Sequence, residues 1–300
     1  MVQKLKTIIK KYNIKPSKKL GQNFLIDKKV LKKIIAAAEL KKDDIVLEIG
    51  PGLGILTLEL AKNVKKVVAI EKDKNMVKIL KNILKENNIK NVVVIEGDVR
   101  KIDIAALLYQ QNKTNMTSQK NFYKLVANIP YYLTSPLMKK FLEAEQPPQT
   151  IILMIQKEVA QRICAQPPKM NLLATATQFY ALPKTIFYVS RKSFWPQPKV
   201  NSATIKILPF KTNPALIPPQ LEKIKQIQDN KIFINDFFRL VRAGFSQPRK
   251  QIINNLTKNL FGGRQKTAEL LKKANINPTQ RSGEIPVDKW LDLTWIACGK

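Results

Sequence analysis

Between residues 44 and 165, short apolar runs alternate with longer stretches that carry apolar residues at helical spacing. The runs are DIVLEIG (44–50), KVVAIEKD (66–73), NVVVIEGDV (91–99), FYKLVANI (122–129) and QTIILMIQ (149–156). The stretches that follow them include GILTLELAKN (54–63), KNMVKILKNILKENN (74–88), SPLMKKFLEAE (135–145) and KEVAQRICA (157–165). Near-continuous Val, Ile and Leu makes sense only in strands covered on both faces. Strands linked through helices run parallel, because a tight hairpin cannot join parallel neighbours. The pattern therefore predicts an α/β fold with helices on both faces of a mostly parallel sheet. Two later strands, near 184–190 and 200–210, are expected to close it with an antiparallel edge. An amphipathic helix is predicted over 28–40 and an exposed polar loop over 109–121. The proline-rich stretch 209–220 reads as a linker, and helical spacing resumes beyond it. The expected division is a first domain, 1–210, with a basic N-terminal arm, 1–20, and a small all-α domain, 211–300.

Charge narrows the partner. The 300 residues include 53 Lys or Arg against 22 Asp or Glu, a formal net charge of +31. Such an imbalance suits a polyanion, nucleic acid first. Most of the basic residues are lysine, and Ile and Asn are frequent, which a biased genome also produces. Histidine is absent, which excludes imidazole acid–base catalysis and His metal sites. Cys164 and Cys298 form no close pair, so neither a disulfide framework nor a zinc site is expected. No metal is expected at all. No apolar run approaches the ~18 residues of a membrane span. The lysine-rich start lacks the apolar core of a signal peptide. A cytoplasmic monomer, without membrane attachment, is the expectation.

The turn from first strand to first helix, IGPGLG, places Gly50, Gly52 and Gly54 where backbone must approach a ligand closely. Its spacing is GxGxG, not the dinucleotide GxGxxG. Glu71, at the end of the second strand, lies about 20 residues on, where an acid accepts hydrogen bonds from ribose hydroxyls. Asp98 ends the third strand on the same rim and suits an adenine amino group. Three successive strand ends thus form an adenosine cradle. No phosphate-binding lysine motif accompanies it. S-adenosyl-L-methionine (SAM) is the cofactor that fits. The sheet is then a Rossmann-like SAM-dependent methyltransferase sheet.

The fourth strand ends in Asn128-Ile129-Pro130-Tyr131, at the same crevice. An amide oxygen and a carbonyl just before proline are two acceptors for the hydrogens of one exocyclic amine. An adenine N6 lone pair is delocalised into the ring. Drawing its hydrogens out of plane makes that pair available for attack. Pro130 stiffens the turn and adds no donor. Tyr131 offers a face on which a base stacks, worth roughly 1–3 kcal/mol. Attack on a sulfonium methyl needs alignment more than a strong base.

Four segments then occur in order: KKLGQNFLID (18–27), LEIGPGLGILT (47–57), NIPYYLTSPLM (128–138) and SFWPQPKVNSA (193–203). Together they resemble the ribosomal RNA adenine N6,N6-dimethyltransferase family, in its bacterial small-subunit branch. AGFSQPRKQIINNL (243–256) and INPTQRSGEIPVDKW (276–290) resemble that branch's C-terminal domain. The resemblance implies that Gln22, Asn23 and Leu25 line the SAM pocket with Gly50, Gly52, Glu71, Asp98 and Asn128. Val99 would flank the adenine ring. Asn128, Pro130 and Tyr131 would form the transfer site, and Phe194 would help hold the target base by stacking. The implied substrate is 16S rRNA in the 30S subunit or its precursor. Two adjacent adenines in a loop near its 3′ end would each gain two N6 methyl groups, with the loop bases splayed out for the chemistry. Residues 166–181 depart from the family's usual stretch, and the loop at 109–121 looks longer and more polar.

Three other readings share some of these features. A 23S rRNA adenine dimethyltransferase of the macrolide-resistance type shares the cradle, but SFWPQPKVNSA and the C-terminal segments favour the small-subunit branch. A weakly active RNA-binding assembly factor does not require the intact Asn128, Tyr131, Glu71 and Asp98. A DNA adenine methyltransferase calls for a separate sequence-reading domain. Thirteen Lys or Arg against five acids in 231–300, with the basic N-terminal arm, point to phosphate contacts from both the second domain and that arm. RNA affinity is therefore expected to fall steeply between low and moderate salt in filter binding. A flat salt profile would contradict this.

Overall fold

A computed structural model describes residues 2–17, 20–111, 123–227, 229–261 and 263–298. The chain forms two compact units. The first holds residues 1–160 and 184–212, the second 161–183 and 213–300. The sequence-based boundary at 210/211 left 161–183 in the first domain. The structure groups them with the helical unit.

The first unit opens with helix α1 (Val2–Lys11), then strand β1 (Phe24–Leu25), helix α2 (Lys28–Ala37), strand β2 (Ile45–Ile49), helix α3 (Ile55–Ala61), strand β3 (Lys66–Glu71) and helix α4 (Lys74–Glu86). It continues with β4 (Val92–Glu96), α5 (Ile104–Gln111), β5 (Lys124–Asn128), α6 (Thr134–Leu142) and β6 (Thr150–Gln156), and the boundary at 160/161 falls within α7 (Lys157–Ile163). In the second unit comes α8 (Leu172–Tyr180), and the sheet is completed by β7 (Ala181–Val189) and β9 (Ser202–Pro209), with the short β8 (Phe194–Trp195) between them. The seven-stranded order is β4-β3-β2-β5-β6-β9-β7. Strands β2 to β6 pair in parallel, and β9 is antiparallel to β6. The antiparallel strand thus lies inside the sheet, with β7 beyond it. Val46, Leu47, Val67, Val68, Leu125 and Val126 are fully buried, as two-sided coverage demands. Of the polar loop expected at 109–121, Tyr109 to Gln111 belong to α5, and the rest lies outside the described residues.

Two features escaped the sequence reading. Lys124 sits in a buried strand. Its ammonium reaches Asp44 at 2.8 Å and the carbonyl of Glu39 at 2.6 Å, so the charge is paired and also caps the end of α2. The N-terminal arm is a helix docked on α4. Ile8, Ile9 and Tyr12 pack on the cluster containing Met76, Ile79 and Ile83. Lys11 and Tyr12 both reach the Glu86 carboxylate, at 2.6 and 2.9 Å.

In the second unit α8 is followed by α9 (Ile224–Ile227), α10 (Lys231–Gly244), α11 (Ile252–Leu256), α12 (Arg264–Lys273) and α13 (Val287–Ala297). Phe179 of α8 stacks on Phe237 of α10, ring centres 4.3 Å apart, which is why 161–183 belongs here. Gly244 faces the buried Trp290, where a Cβ would collide with the indole and lie 3.0 Å from Ile252 Cδ1. Gly244→Ala should therefore destabilise this unit by about 1–3 kcal/mol through overpacking. A lowered thermal midpoint is the expected result, and an unchanged one would show that Trp290 has room to move.

Candidate functional site

Strand β2 is flanked by β3 on one side and β5 on the other, so the chain order reverses at its end. Open α/β sheets place ligands outside the carboxyl ends of strands at such a point. Here Gly50, Gly52 and Gly54 all have positive φ, 66°, 53° and 75°. A Cβ on Gly52 would come within 3.1 Å of the Phe24 ring, and one on Gly54 would strike Leu80. A side chain at 52 or 54 would therefore collide, and the left-handed backbone favours glycine at all three positions. Glu71 ties the turn to the next strand. One carboxylate oxygen accepts the Gly52 N–H at 3.1 Å, the other the Asp73 N–H at 2.9 Å. Burial pushes the Glu71 carboxyl upward, and these backbone donors oppose the shift.

Asp98 is held between two cations. Arg100 Nε reaches Oδ1 at 2.9 Å and its Nη2 reaches Oδ2 at 2.5 Å, while Lys72 Nζ lies 3.1 Å from Oδ2. The Arg100 fork holds the Asp98 carboxyl well below the usual range, so it stays an acceptor. Val99 beside it is buried.

The opposite wall is a two-stranded ribbon, with Phe24 paired to Trp195 and Leu25 to Phe194. Asp27 fastens it. Its Oδ1 caps α2 through the Lys29 and Val30 N–H groups, and its Oδ2 accepts from Ser193 Oγ at 3.0 Å. Gln22 spends its amide within the protein. Its oxygen accepts the Ser17 N–H at 2.8 Å and its nitrogen donates to Asp73 at 2.9 Å. Asn23 donates to the Gly21 carbonyl at 3.1 Å. Asn128 Nδ2 donates to the Asn23 carbonyl at 3.4 Å, which orients the Asn128 amide across from this wall.

After Asn128 the chain turns at Pro130 into a single 3₁₀ turn, Tyr131–Leu133, ahead of α6. Tyr131 Oη lies 2.9 Å from Ser202 Oγ. All the residues proposed from sequence line one crevice: Gln22, Asn23, Leu25, Gly50, Gly52, Glu71, Asp98, Val99, Asn128, Pro130, Tyr131 and Phe194. Phe194, expected as a stacking face, is 4% exposed and packs in the core with Leu25 and Met154. Tyr132, not singled out from sequence, also lines the crevice and is 47% exposed. Asp27, Glu48, Arg100 and Ser202 were likewise missed. Ser202 meets Tyr131, and Asp27 meets Ser193, only in the folded chain, whereas Arg100 lies two residues from Asp98.

The ribosomal RNA adenine dimethylase family model matches residues 13–297. The chain belongs to that family, and it is a methyltransferase. Among relatives of this dimethylase, a ribosomal RNA small subunit methyltransferase A from Dehalococcoides mccartyi is 37% identical over 290 residues, 97% of this chain and 91% of that protein. The protein of the same name from Bacillus pumilus is 38% identical, covering 96% and 94%. Among solved structures, a dimethyladenosine transferase from Plasmodium falciparum superposes with TM-score 0.73 and 26% identity, covering 92% and 98%. The 23S rRNA methyltransferase ErmE gives 0.65 and 25%, covering 90% and 98%. The fold is therefore shared with these two solved structures. Among the described residues no helix is long and apolar enough to cross a membrane.

Glu48, in the middle of β2, lines the crevice and is 1% exposed. Burial pushes its carboxyl up to about 8 from the usual 4.5, and the Glu71 charge acts in the same direction. Between those two values the folded chain keeps a proton that the unfolded chain has lost. This group's contribution to stability therefore falls as pH rises through that window and levels off above it. Glu48→Gln should gain on wild type in thermal midpoint from pH 5 to 8. A constant difference across that range would place Glu48 at an ordinary carboxylate pKa.

Proposed function

We propose that this chain uses SAM to dimethylate N6 of two adjacent adenines in a loop near the 3′ end of 16S rRNA. Its substrate is the 30S subunit or a precursor, in the cytoplasm, and the chain acts as a monomer. What carries this reading is Asn128 at the end of β5, with its amide nitrogen engaged by Asn23 and its side chain in the crevice shared with Glu71 and Asp98.

The crevice suits the cofactor. Glycine lets the turn close on Phe24 and Leu80, where a Cβ would collide, and leaves the Gly50 and Gly52 backbone bare at the crevice. Glu71 keeps lone pairs for ribose hydroxyls beyond those that accept the Gly52 and Asp73 N–H groups. Asp98 accepts from the cofactor's adenine amino group in place of the half-exposed Lys72 ammonium, since Arg100 and Lys72 together occupy both of its oxygens, and Val99 packs against that ring. Gln22 and Asp27 act at one remove by fixing the wall that carries Asn23 and Leu25. Bound SAM supplies an electrophilic methyl carbon.

Asn128 Oδ1 and the Ile129 carbonyl take the two hydrogens of the target amine. The nitrogen lone pair is thereby released from the ring for attack, and its proton leaves afterwards. Pro130 holds the Ile129 carbonyl without adding a donor. Tyr131 and the more exposed Tyr132 offer ring faces to the flipped base, and Phe194 closes the wall behind it. The first monomethyl product still has one N–H, so a second acceptor-assisted transfer on the same nitrogen is chemically consistent. The lysines and arginines of 231–298 grip phosphates, while the crevice reads the base.

The test is transfer of labelled methyl groups from SAM to unmethylated 30S subunits, with nucleoside analysis and 50S subunits alongside. N6,N6-dimethyladenosine in 16S rRNA is expected, with Asn128→Ala slower by about 100-fold or more because both alignment and activation of the amine are lost. Product in 23S rRNA alone would assign the chain to the macrolide-resistance type. Binding without product would make it an assembly factor.

A further inference from the structure

Tyr131 is held at both ends. Its carbonyl accepts from Thr134 Oγ1 at 3.0 Å, and the turn is closed by the Leu133 N–H on the Pro130 carbonyl at 3.0 Å. At the far tip, the phenol oxygen lies 2.9 Å from Ser202 Oγ. Ser202 is fully buried at the start of β9, in register with Gln156 of β6. Its hydroxyl therefore has a position set by the central sheet rather than by the crevice. Stacking a base needs only a ring face, which phenylalanine also has. A phenol fixed to a rigid strand does something more, because it stops the ring swinging about its Cα–Cβ bond.

We propose that Ser202 is a positioning residue for methyl transfer: its hydroxyl anchors the Tyr131 phenol and fixes the plane against which the target adenine stacks. The proposal rests on the reading of Tyr131 as the base-stacking residue. In-line transfer tolerates little misplacement, and a shift of about 1 Å can cost roughly 100-fold in rate. A tether on the stacking ring is thus a direct means of setting the attack geometry. It also accounts for tyrosine, rather than phenylalanine, at a position whose phenol reaches into the protein. The simpler alternative is a buried hydroxyl that merely satisfies its own hydrogen bond. That alternative predicts a change in stability without a selective change in the chemical step.

The experiment compares wild type, Ser202→Ala, Tyr131→Phe and the double variant. Single-turnover methyl transfer to 30S subunits is measured at saturating SAM, with SAM affinity and thermal midpoint recorded for each. Both single variants should transfer about ten-fold more slowly with SAM affinity unchanged, and the double variant should be no slower than either, because one contact is lost in all three. Wild-type rates in Ser202→Ala, or losses that multiply in the double variant, would overturn the proposal. A wild-type protein that transfers no methyl group would remove the functional reading instead. The tether is read separately by the ¹³Cζ resonance of labelled Tyr131. That signal should shift and broaden in Ser202→Ala, and an unmoved signal would show that Ser202 does not hold the ring.

Discussion

Everything at the site depends on the parallel register of β2, β3, β4 and β5. Ile49 pairs with Ile70, Glu71 with Glu96, and Leu47 with Leu125, so the strands finish on one rim. The glycine turn, Glu71, Asp98 and Asn128 come from segments up to 78 residues apart (50 to 128), yet a shared rim brings them together. A slip of one residue would turn each carboxylate to the other face of the sheet. Register is held by the apolar interior, where Val46, Leu47, Val67, Val68 and Leu125 have no exposed surface.

On that rim the polar groups form a connected set. Glu71 fastens the glycine turn to the start of α4, whose N-cap is Asp73. Asp73 accepts from Gln22, and Gln22 accepts from the Ser17 backbone. Through this chain of bonds the N-terminal segment and the glycine turn are fixed to the same helix on which α1 docks. On the other side, Asp27 and the β1–β8 ribbon couple Asn23 and Leu25 to Phe194. The two substrates of a methyl transfer must be aligned with each other, and this ribbon is a physical link between the residues proposed to hold each of them.

Charge is used in two ways. Inside, it is paired or suppressed: Lys124 by Asp44, and Glu48 by holding its proton; at the rim, Asp98 is paired with the half-exposed Arg100 and Lys72. Outside, the excess of lysine stays in water. The interior groups act on local geometry and acidity, whereas charges in water are screened by salt.

The strand and helix alternation was legible because burial on two faces leaves apolar runs that no other element tolerates. The strand-end residues were legible too, since a glycine turn, an acid about 20 residues on and Asn-x-Pro-Tyr follow from sequence order alone. Gly54 needed no structure to be noticed, although only Leu80 explains why it must be glycine. Other features required the folded chain. Lys124 reads as an error in a buried strand until Asp44 and the end of α2 are seen beside it. Ser202 is one serine among many until β9 inserts next to β6 and brings it to Tyr131. Residues 161–183 join the helical unit because Phe179 finds Phe237, a contact across 58 positions of sequence. The sequence by itself determined the layers, the rim and the residue types available for adenine chemistry, because those follow from periodicity and local order. Tertiary structure alone decided which side chains anchor others, because long-range pairing depends on packing that periodicity does not encode.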